Sequence, residues 1–593
     1  MATQAMKDTM AGTLRAGDIG RTVRIAGWVG SRRDHGGVVF IDLRDTSGIV
    51  QVVLNPEHSP APQDVVHALR SEYCIAIEGT VQARPSGTAN ADLPTGDVDV
   101  VATSLTILNP SDPLPFQIND RVEVEEVKRL EFRYLDLRRT RMANNLRARS
   151  RAVQAMRRVL CEKDFLEVET PTLIASTPEG ARDMLVPSRM RPGHFYALPQ
   201  SPQLFKQMLM VAGVERYYQI ARCYRDEDLR ADRQLEFTQL DLEGSFWTQE
   251  DVLDTLEDIV CEVVGDVRGT ELPRPFVRMT YAEAMRRFGT DKPDTRFAME
   301  IADLTDTFAD TDFKAFSGVL ESGGVISGIN VGKLGLARSG LDAQVDRAIE
   351  LGAKGLVWMV VQEDGTLRSP IAKFLTDSEV ETIKVRLDVS SGDVLLLVAD
   401  AAGVVRKVLG QLRLDHGRPQ DHADLEFLFI VDFPAFEKTD DGGFAPVHHP
   451  FTAPHSVQEM RDHPETALSH GYDLVLNGSE LGSGSVRIHN AEVQEQVFDV
   501  LGISKQDADE RFGWFVRALR FGAPPHAGFA IGVDRLVSIL QNEPNIREVI
   551  PFPKTQSGGD PLTGAPSKVD PAQLDELGIQ VSPDVIKEWA DPT

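Results

Sequence analysis

Cysteine is scarce in this chain: four in 593 residues, Cys74, Cys161, Cys223 and Cys261, far apart in sequence, without CxxC spacing or a histidine cluster nearby. That argues against a disulfide framework or a structural zinc site and fits a reducing compartment. Long apolar runs are also lacking. No segment offers the roughly 18 apolar residues that a membrane span needs, and the opening MATQAMKDTMAGTLRAGD has no apolar stretch suited to a signal peptide. Basic charge is the third deficit. Lys and Arg number 63 against 90 Asp and Glu, a formal net charge of −27, which taken alone argues against a nucleic-acid partner. Net charge is a whole-chain sum, however, and phosphate binding needs only a local positive face, for which Arg32-Arg33 and the run from Arg138 to Arg158 are candidates. What is present is ordinary for a globular protein: 42% hydrophobic and 26% charged residues, in a chain too long for one core. The expectation is a soluble, cytoplasmic protein of several domains.

Between residues 20 and 108 short β-rich runs alternate with turns: RTVRIAGWV, VVFIDLRD, GIVQVVL, YCIAIEGTVQAR and VDVVATSLTIL, with a helical stretch, APQDVVHALRSE, after the third. Five strands with a helix after the third is the order of an OB-fold, a barrel often used for oligonucleotides; the pattern alone also fits a generic β-barrel. NPSDPLPFQIND, with three prolines, reads as a hinge. From Arg141 to Asp164 the spacing of Leu146, Val153, Met156 and Leu160 predicts a helix with one apolar face, followed by an extended FLEVETPTL that breaks at Pro171. Residues 286–420 are Gly-rich and show no catalytic constellation, so they read as an inserted α/β domain. Polar, Gly- and His-rich strands then resume. The expected fold is α+β and multidomain: a barrel at 1–110, a hinge at 111–140, a catalytic domain in two parts at 141–285 and 421–564 around the insertion at 286–420, and a C-terminal extension at 565–593.

Three segments carry chemistry. In RCYRDEDLRADRQLEFTQLD, residues 222–241, alternating Arg and acidic residues lie between two strand-like runs. Such a hairpin can aim Arg225 at a phosphate, whose oxygens suit the planar guanidinium fork, while Glu227 meets an amine or an adenine edge. By itself it also reads as a surface salt-bridge ladder. In GFAIGVDRL, residues 528–536, Gly528 and Gly532 would let a strand and a following helix lie against a planar ligand, with Arg535 in reach of a terminal phosphate. By itself it is equally a tightly packed strand–helix corner. FLEVETPTL after a long helix says only helix, turn, strand.

Taken together, in this order and spacing, the three resemble motifs 1, 2 and 3 of the class II aminoacyl-tRNA synthetases. The resemblance implies an antiparallel sheet flanked by helices, dimerised through motif 1 with Pro171 at the interface. Within that class the chain is similar to bacterial-type aspartyl-tRNA synthetases from near residue 20 to near residue 560, through RRDHGGVVFIDLRD, FRYLDLRR, TPEGARD, LPQSPQLFKQMLM, HHPFT, GSELGSGSVRIH and FPKTQSG. The insertion corresponds to the extra domain of the bacterial type.

The activity so implied is ATP-dependent conversion of L-aspartate to aspartyl-AMP and transfer to the 3′ end of tRNA, with Mg²⁺ as the metal and neither DNA nor membrane as a partner. Lys206 and Arg487 would hold the aspartate side chain; two cations facing one carboxylate make chemical sense because an asparagine amide would leave them uncompensated. Glu179 and Asp241 would receive the α-ammonium, with Ser201 and Gln203 in support, and His448 and His449 would contact aspartate. That histidine pair could otherwise ligate a metal, but no third ligand is evident. Arg225 would bind the α-phosphate and Arg535 the γ-phosphate; with Glu227 they form the implied catalytic set. Asp226, Gln234, Glu480, Gly532, Val533 and Asp534 would complete the ATP site. Asp473 and Glu480 would hold Mg²⁺ as hard oxygen ligands. Asp534 stands where many class II sequences carry Glu, but aspartyl enzymes resemble this chain there. In the barrel, Arg32, Arg33, Phe40 and Gln51 align with anticodon-reading positions, a Phe face suiting a stacked base; Phe40 also reads as a core residue. His35 in RRDHGG and Gly87 in RPSG match the pattern of enzymes that charge both tRNA(Asp) and tRNA(Asn), while a discriminating enzyme that charges tRNA(Asp) alone is the alternative. Further alternatives are a lysyl- or asparaginyl-tRNA synthetase, a non-enzymatic OB-type nucleic-acid binder, and an adenylate-forming paralogue without tRNA function.

Overall fold

The computed structural model describes residues 6–55, 63–176 and 180–590. The chain divides into two compact units, Met1–Asn144 with Pro561–Thr563, and Asn145–Asp560 with Gly564–Thr593.

In the first unit the strands Thr22–His35, Val38–Asp45, Gly48–Leu54, Cys74–Ala83 and Val98–Asn109 close into a barrel in the order first, second, third, fifth, fourth. The helix Gln63–Ala68 falls between the third and fourth, so the OB-fold order stands and the generic barrel falls away. Strand alternation sends Val39, Ile41, Leu43, Val50 and Val52 into the core and leaves Phe40, Asp42 and Gln51 outside it. Gly27 is required by close approach: a Cβ there would lie 2.2 Å from the Arg44 carbonyl oxygen. The segment after the barrel ends in two short helices, Glu126–Glu131 and Arg133–Asp136. They pack round a fully buried Asp136, paired with Arg133 at 2.6 Å and Arg129 at 3.0 Å.

The second unit is built on an eight-stranded sheet in the order Val277–Thr280, Phe427–Pro434, Leu468–Leu476, Ser479–Val486, His526–Gly532, Glu236–Ser245, Arg216–Tyr224, Leu166–Glu167. The six central strands are antiparallel, as expected, but both edge strands pair in parallel. Helices Thr140–Glu162, Gln249–Arg268 and Val533–Leu540 cover one face, burying Leu240, Leu242, Phe529 and Ile531. The first of these helices differs from expectation in its contact residues. Leu146 and Val153 are only half-buried, and the sheet-facing stripe is Ala148, Ala152, Ala155, Met156, Val159 and Leu160. Small side chains at helical spacing let the helix lie close to the sheet. With Leu240 and Leu242 turned to that core, Gln239, Asp241 and Glu243 face the other side.

In the sequence between the strands Val277–Thr280 and Phe427–Pro434 of this sheet comes a second, five-stranded one in the order Ala302–Asp303, Val325–Asn330, Val394–Asp400, Val357–Val361, Leu367–Arg368. Helices on both of its faces build two separate apolar clusters, one around Leu396 and Leu409, the other around Leu395 and Phe308. Burial on both faces explains why Val394–Asp400 reads as a continuous apolar run. No helix among the described residues is long and apolar enough to cross a membrane.

Candidate active site

The opposite face of the large sheet carries a cavity of about 780 Å³. Its floor is three strands, Glu236–Ser245, His526–Gly532 and Ser479–Val486, with Glu243 opposite Gly528 and Gly528 opposite Ser485. The glycines here answer to the protein. A Cβ on Gly528 would lie 1.8 Å from Glu243 Oε2, one on Gly484 2.2 Å from the Gly528 carbonyl oxygen, and one on Gly482 1.9 Å from that of Ala530. Gly528 therefore makes room for a buried carboxylate, where the sequence suggested a planar ligand.

Around that carboxylate sits a buried charge cluster. Lys206, from the helix Gln203–Val211, contacts Asp241 Oδ1 at 2.7 Å and Glu243 Oε2 at 3.2 Å. Arg487 grips Glu243 through both Nε, at 2.9 Å, and Nη2, at 3.2 Å, and donates from Nη1 to Ser485 Oγ at 2.7 Å. Burial pushes the Glu243 carboxyl up, but Arg487 and Lys206 outweigh it and hold the group at about 2. Asp241 goes the other way, because burial outweighs its contact with Lys206. Acids of the protein thus already balance the two cations that the resemblance assigns to the substrate carboxylate.

Polar atoms at this end lack partners. Asp241 Oδ2, Gln203 Nε2, His449 Nε2 and His448 Nδ1 are buried without a hydrogen-bond partner among the described residues. For His449, burial and then the Arg487 and Lys206 charges lower the pKa well below the ordinary value, so the ring is neutral. The Phe451 N–H donates to His449 Nδ1 at 3.3 Å, which leaves the ring proton on Nε2 as an unpaired donor. His448 instead turns Nε2 to Asp473 Oδ1 at 2.9 Å, and Gly471 admits its ring, since a Cβ there would lie 2.7 Å from Nδ1. An acceptor on Asp241 and a donor on His449 call for a ligand bearing both a cation and an anion, because unpaired buried polar groups are costly.

The other end of the cavity is lined by the hairpin between Arg216–Tyr224 and Glu236–Ser245 and by the start of the helix Val533–Leu540. Arg225 lies over the Phe237 ring at 5.1 Å, Glu227 pairs with Arg233 at 2.8 Å, and Gln234 Oε1 accepts from the Lys554 N–H at 3.0 Å. Asp226 pairs with Arg182 at 3.4 Å. Arg535 donates to the Glu480 carbonyl and pairs with Asp232 at 3.1 Å. Glu480 follows a tight Asn477-Gly478 turn, both residues at positive φ (51° and 80°), which is the sequence that such two-residue hairpins favour. Its carboxyl is raised, first by burial and then by the charge of Asp473. Among the described residues no three His, Cys, Asp or Glu converge on one point. Two neighbouring carboxylates still fit a hard cation that takes its other ligands from a phosphate-bearing substrate and water.

Comparison with known proteins decides the family. Residues 125–556 match the tRNA synthetases class II (D, K and N), and residues 23–108 match the OB-fold nucleic acid binding domain. The chain is 50% identical over 581 residues to the aspartate–tRNA(Asp/Asn) ligase of Thermobifida fusca, covering 97% of this chain and 98% of that protein. It is 48% identical over 582 residues to the protein of the same name from Aquifex aeolicus, covering 95% and 96%. In fold it is similar to the asparaginyl-tRNA synthetase of Pyrococcus horikoshii complexed with asparaginyl-adenylate, with a TM-score of 0.58 at 16% identity over 96% of this chain and 100% of that one. The chain belongs to the class II tRNA synthetases.

In this class II synthetase the three motifs meet at one residue. Asp534 of motif 3 accepts from Arg149 on the motif 1 helix and, through Oδ2, from the Thr238 N–H of motif 2 at 2.7 Å, while Arg149 also donates to Thr238 Oγ1 at 2.9 Å. Its carboxylate therefore holds the motifs together, and the neighbouring Val533 lies in the apolar core. Gly532, Ser201, Gln203, Gln234 and Arg225 all line the cavity; Glu179 lies outside the described residues. Sequence reasoning missed Glu243 and Lys292, which also bear on the cavity. The signal for Glu243 was the period-2 run of Gln239, Asp241 and Glu243 alternating with Leu240 and Leu242.

On the barrel, Phe40 is half-buried and outside the core, with the exposed His35 edge-on to it at 6.0 Å. Arg33 donates to Asp42 at 2.9 Å and to Gln51 Oε1 at 3.1 Å, and Gln51 donates to Asp99 at 3.0 Å. Arg32 lies near His67 Nδ1 at 3.4 Å. Gly87 has a φ of 82° and open space around it.

Proposed function

We infer that this class II synthetase activates L-aspartate with ATP and transfers the aspartyl group to both tRNA(Asp) and tRNA(Asn). The observation that carries the amino-acid assignment is the buried pair Lys206 and Arg487 at the closed end of the cavity, beside the unpaired Asp241 Oδ2 and His449 Nε2. Aspartate supplies the complement: its ammonium meets Asp241, supported by Ser201, Gln203 and Glu179, and its side-chain carboxylate meets Lys206, Arg487 and the histidines. An aspartate oxygen of the α-carboxylate attacks the α-phosphorus, the bond from phosphorus to the bridging oxygen breaks, and pyrophosphate leaves with the electron pair. Arg225 holds the α-phosphate, Arg535 the γ-phosphate, and Glu227 and Gln234 the nucleotide. The terminal ribose hydroxyl of tRNA then attacks the aspartyl carbonyl carbon, AMP leaves, and the hydroxyl proton passes to solvent. Little acid–base chemistry is needed; positioning and charge neutralisation do the work. Asp473 and Glu480 would hold Mg²⁺, which when bound neutralises phosphate charge. Leu166 and Leu173, exposed on either side of Pro171, support a homodimer through motif 1.

For tRNA choice, His35 lies beside Phe40, whose ring is suited to stack an anticodon base, and Gly87 offers no side chain to clash with one. Both fit relaxed reading of the anticodon letter in which the two tRNAs differ, as do the names of the relatives from Thermobifida fusca and Aquifex aeolicus. The test is charging of purified tRNA(Asp) and tRNA(Asn) transcripts. Wild type is expected to charge both at comparable rates, and His35→Leu to lower tRNA(Asn) charging by about tenfold, the scale of one base-edge contact, while sparing tRNA(Asp). A wild type that rejects tRNA(Asn) by orders of magnitude would establish the discriminating alternative.

A further inference from the structure

Each Lys or Arg lining the cavity has a carboxylate within 3.9 Å, as Arg535 has Asp232 and Arg225 has Glu227, with one exception. Lys292 has no ion pair among the described residues. It comes from the segment that leads into the five-stranded domain, a region in which sequence reasoning found no chemistry.

That segment is firmly placed. Two residues on, the fully buried Asp294 grips Arg296 at 2.6 Å and packs against the turn that precedes Glu480, where a Cβ on Gly478 would lie 3.0 Å from Asp294 Cβ. The Asp294 carbonyl accepts from Arg413 Nη2 at 2.6 Å. Arg413 belongs to the helix Ala402–Gly417, is itself buried, lies 3.9 Å over the Phe297 ring and donates from Nε to the Met299 carbonyl at 2.8 Å. The last helix of the inserted domain thus clamps the backbone from which Lys292 projects, at the end of the cavity where Glu480 and Arg535 lie. The Lys292 and Asp291 charges both act on Glu480.

We propose that Lys292 is a further substrate-binding residue that holds the departing pyrophosphate of ATP. The proposal rests on the reading of this cavity as the ATP site. When the α-phosphorus bond to the bridging oxygen breaks, that oxygen keeps the electron pair and the β-phosphate gains negative charge. An ammonium not already neutralised by the protein is the group best able to balance it.

The experiment compares wild type, Lys292→Ala and Lys292→Arg as full-length proteins in aspartate-dependent ATP–pyrophosphate exchange, with AMP as an inhibitor. Lys292→Ala is expected to raise KM for ATP and for pyrophosphate about tenfold, the scale of one charge-assisted contact, while leaving KM for aspartate and Ki for AMP unchanged. Lys292→Arg should recover most of the loss. KM values for ATP and pyrophosphate within twofold of wild type, or an equal rise in Ki for AMP, would overturn the proposal. A wild type without any aspartate-dependent exchange would overturn the ATP-site reading along with it, so the two failures are told apart.

Discussion

Arg487→Leu is expected to lower kcat/KM for aspartate activation at least about thirtyfold, since truncating one partner of a buried, hydrogen-bonded charge pair costs about 2–5 kcal/mol. It should also weaken discrimination against asparagine. The structure adds a consequence that the sequence did not suggest. Arg487 is bidentate on Glu243, so its loss leaves a fully buried carboxylate with Lys206 as its remaining counter-charge, a change that destabilises folds by about 3–5 kcal/mol. A lower Tm alone would reduce activity, and the double variant Arg487→Leu/Glu243→Gln separates the two effects. It should regain much of the lost Tm and none of the aspartate activation. The pH dependence follows from the same contact. Glu243 is held at about 2 against an ordinary 4.5, so its contribution to stability is complete above about pH 4.5 and is lost as pH falls toward 2. The Tm gap between wild type and Arg487→Leu should therefore be widest near neutrality and narrow below about pH 4.5. A single variant with unchanged kcat/KM for aspartate would remove Arg487 from the substrate site.

The second large effect is expected at Glu480. Glu480→Gln keeps the shape of the side chain and removes its charge, and should slow adenylate formation by roughly two to three orders of magnitude, the several kcal/mol of charge stabilisation that a bound metal supplies. Affinity for tRNA should stay within about twofold of wild type. Stability gives an independent check of sign. An acid whose pKa is raised by burial and by Asp473 opposes folding when ionised, so Glu480→Gln should not lower Tm at neutral pH. Exchange within a few-fold of wild type, or equal wild-type rates with and without Mg²⁺, would contradict the assignment.

How far the sequence could be read depended on whether a residue's role is local. The barrel was legible because alternation and turn spacing are short-range signals, and so was the three-motif core, because its order along the chain carries the information. The alanine stripe of Thr140–Glu162 was not, since a large-residue count looks for Leu and Val while the close helix–sheet contact is made by Ala148, Ala152 and Ala155. Gly528 was noticed for the wrong reason: its demand comes from Glu243, on a strand nearly three hundred residues away, and only the register of the two strands reveals it. Lys206 and Arg487 were found as cations, but their balance by Asp241 and Glu243 depends on three segments meeting. Nothing in the sequence marks Lys292, because the segment that carries it is placed by Gly478 and Arg413, each more than a hundred residues further on. Asp534 shows the reverse case, a motif residue whose carboxylate serves the fold by tying Arg149 to Thr238.

The central claim is that the buried Lys206–Arg487 site selects aspartate among amino acids that class II synthetases of this group activate. It is tested most directly by ATP–pyrophosphate exchange with the purified wild-type protein, run in parallel with aspartate, asparagine and lysine as the sole amino acid. Exchange is expected with aspartate, with asparagine lower by several orders of magnitude because, once the substrate ammonium engages Asp241, the cluster carries an excess positive charge that an amide does not balance, and with lysine excluded by charge. Exchange with asparagine or lysine at a rate comparable to aspartate, or none with aspartate, would contradict it.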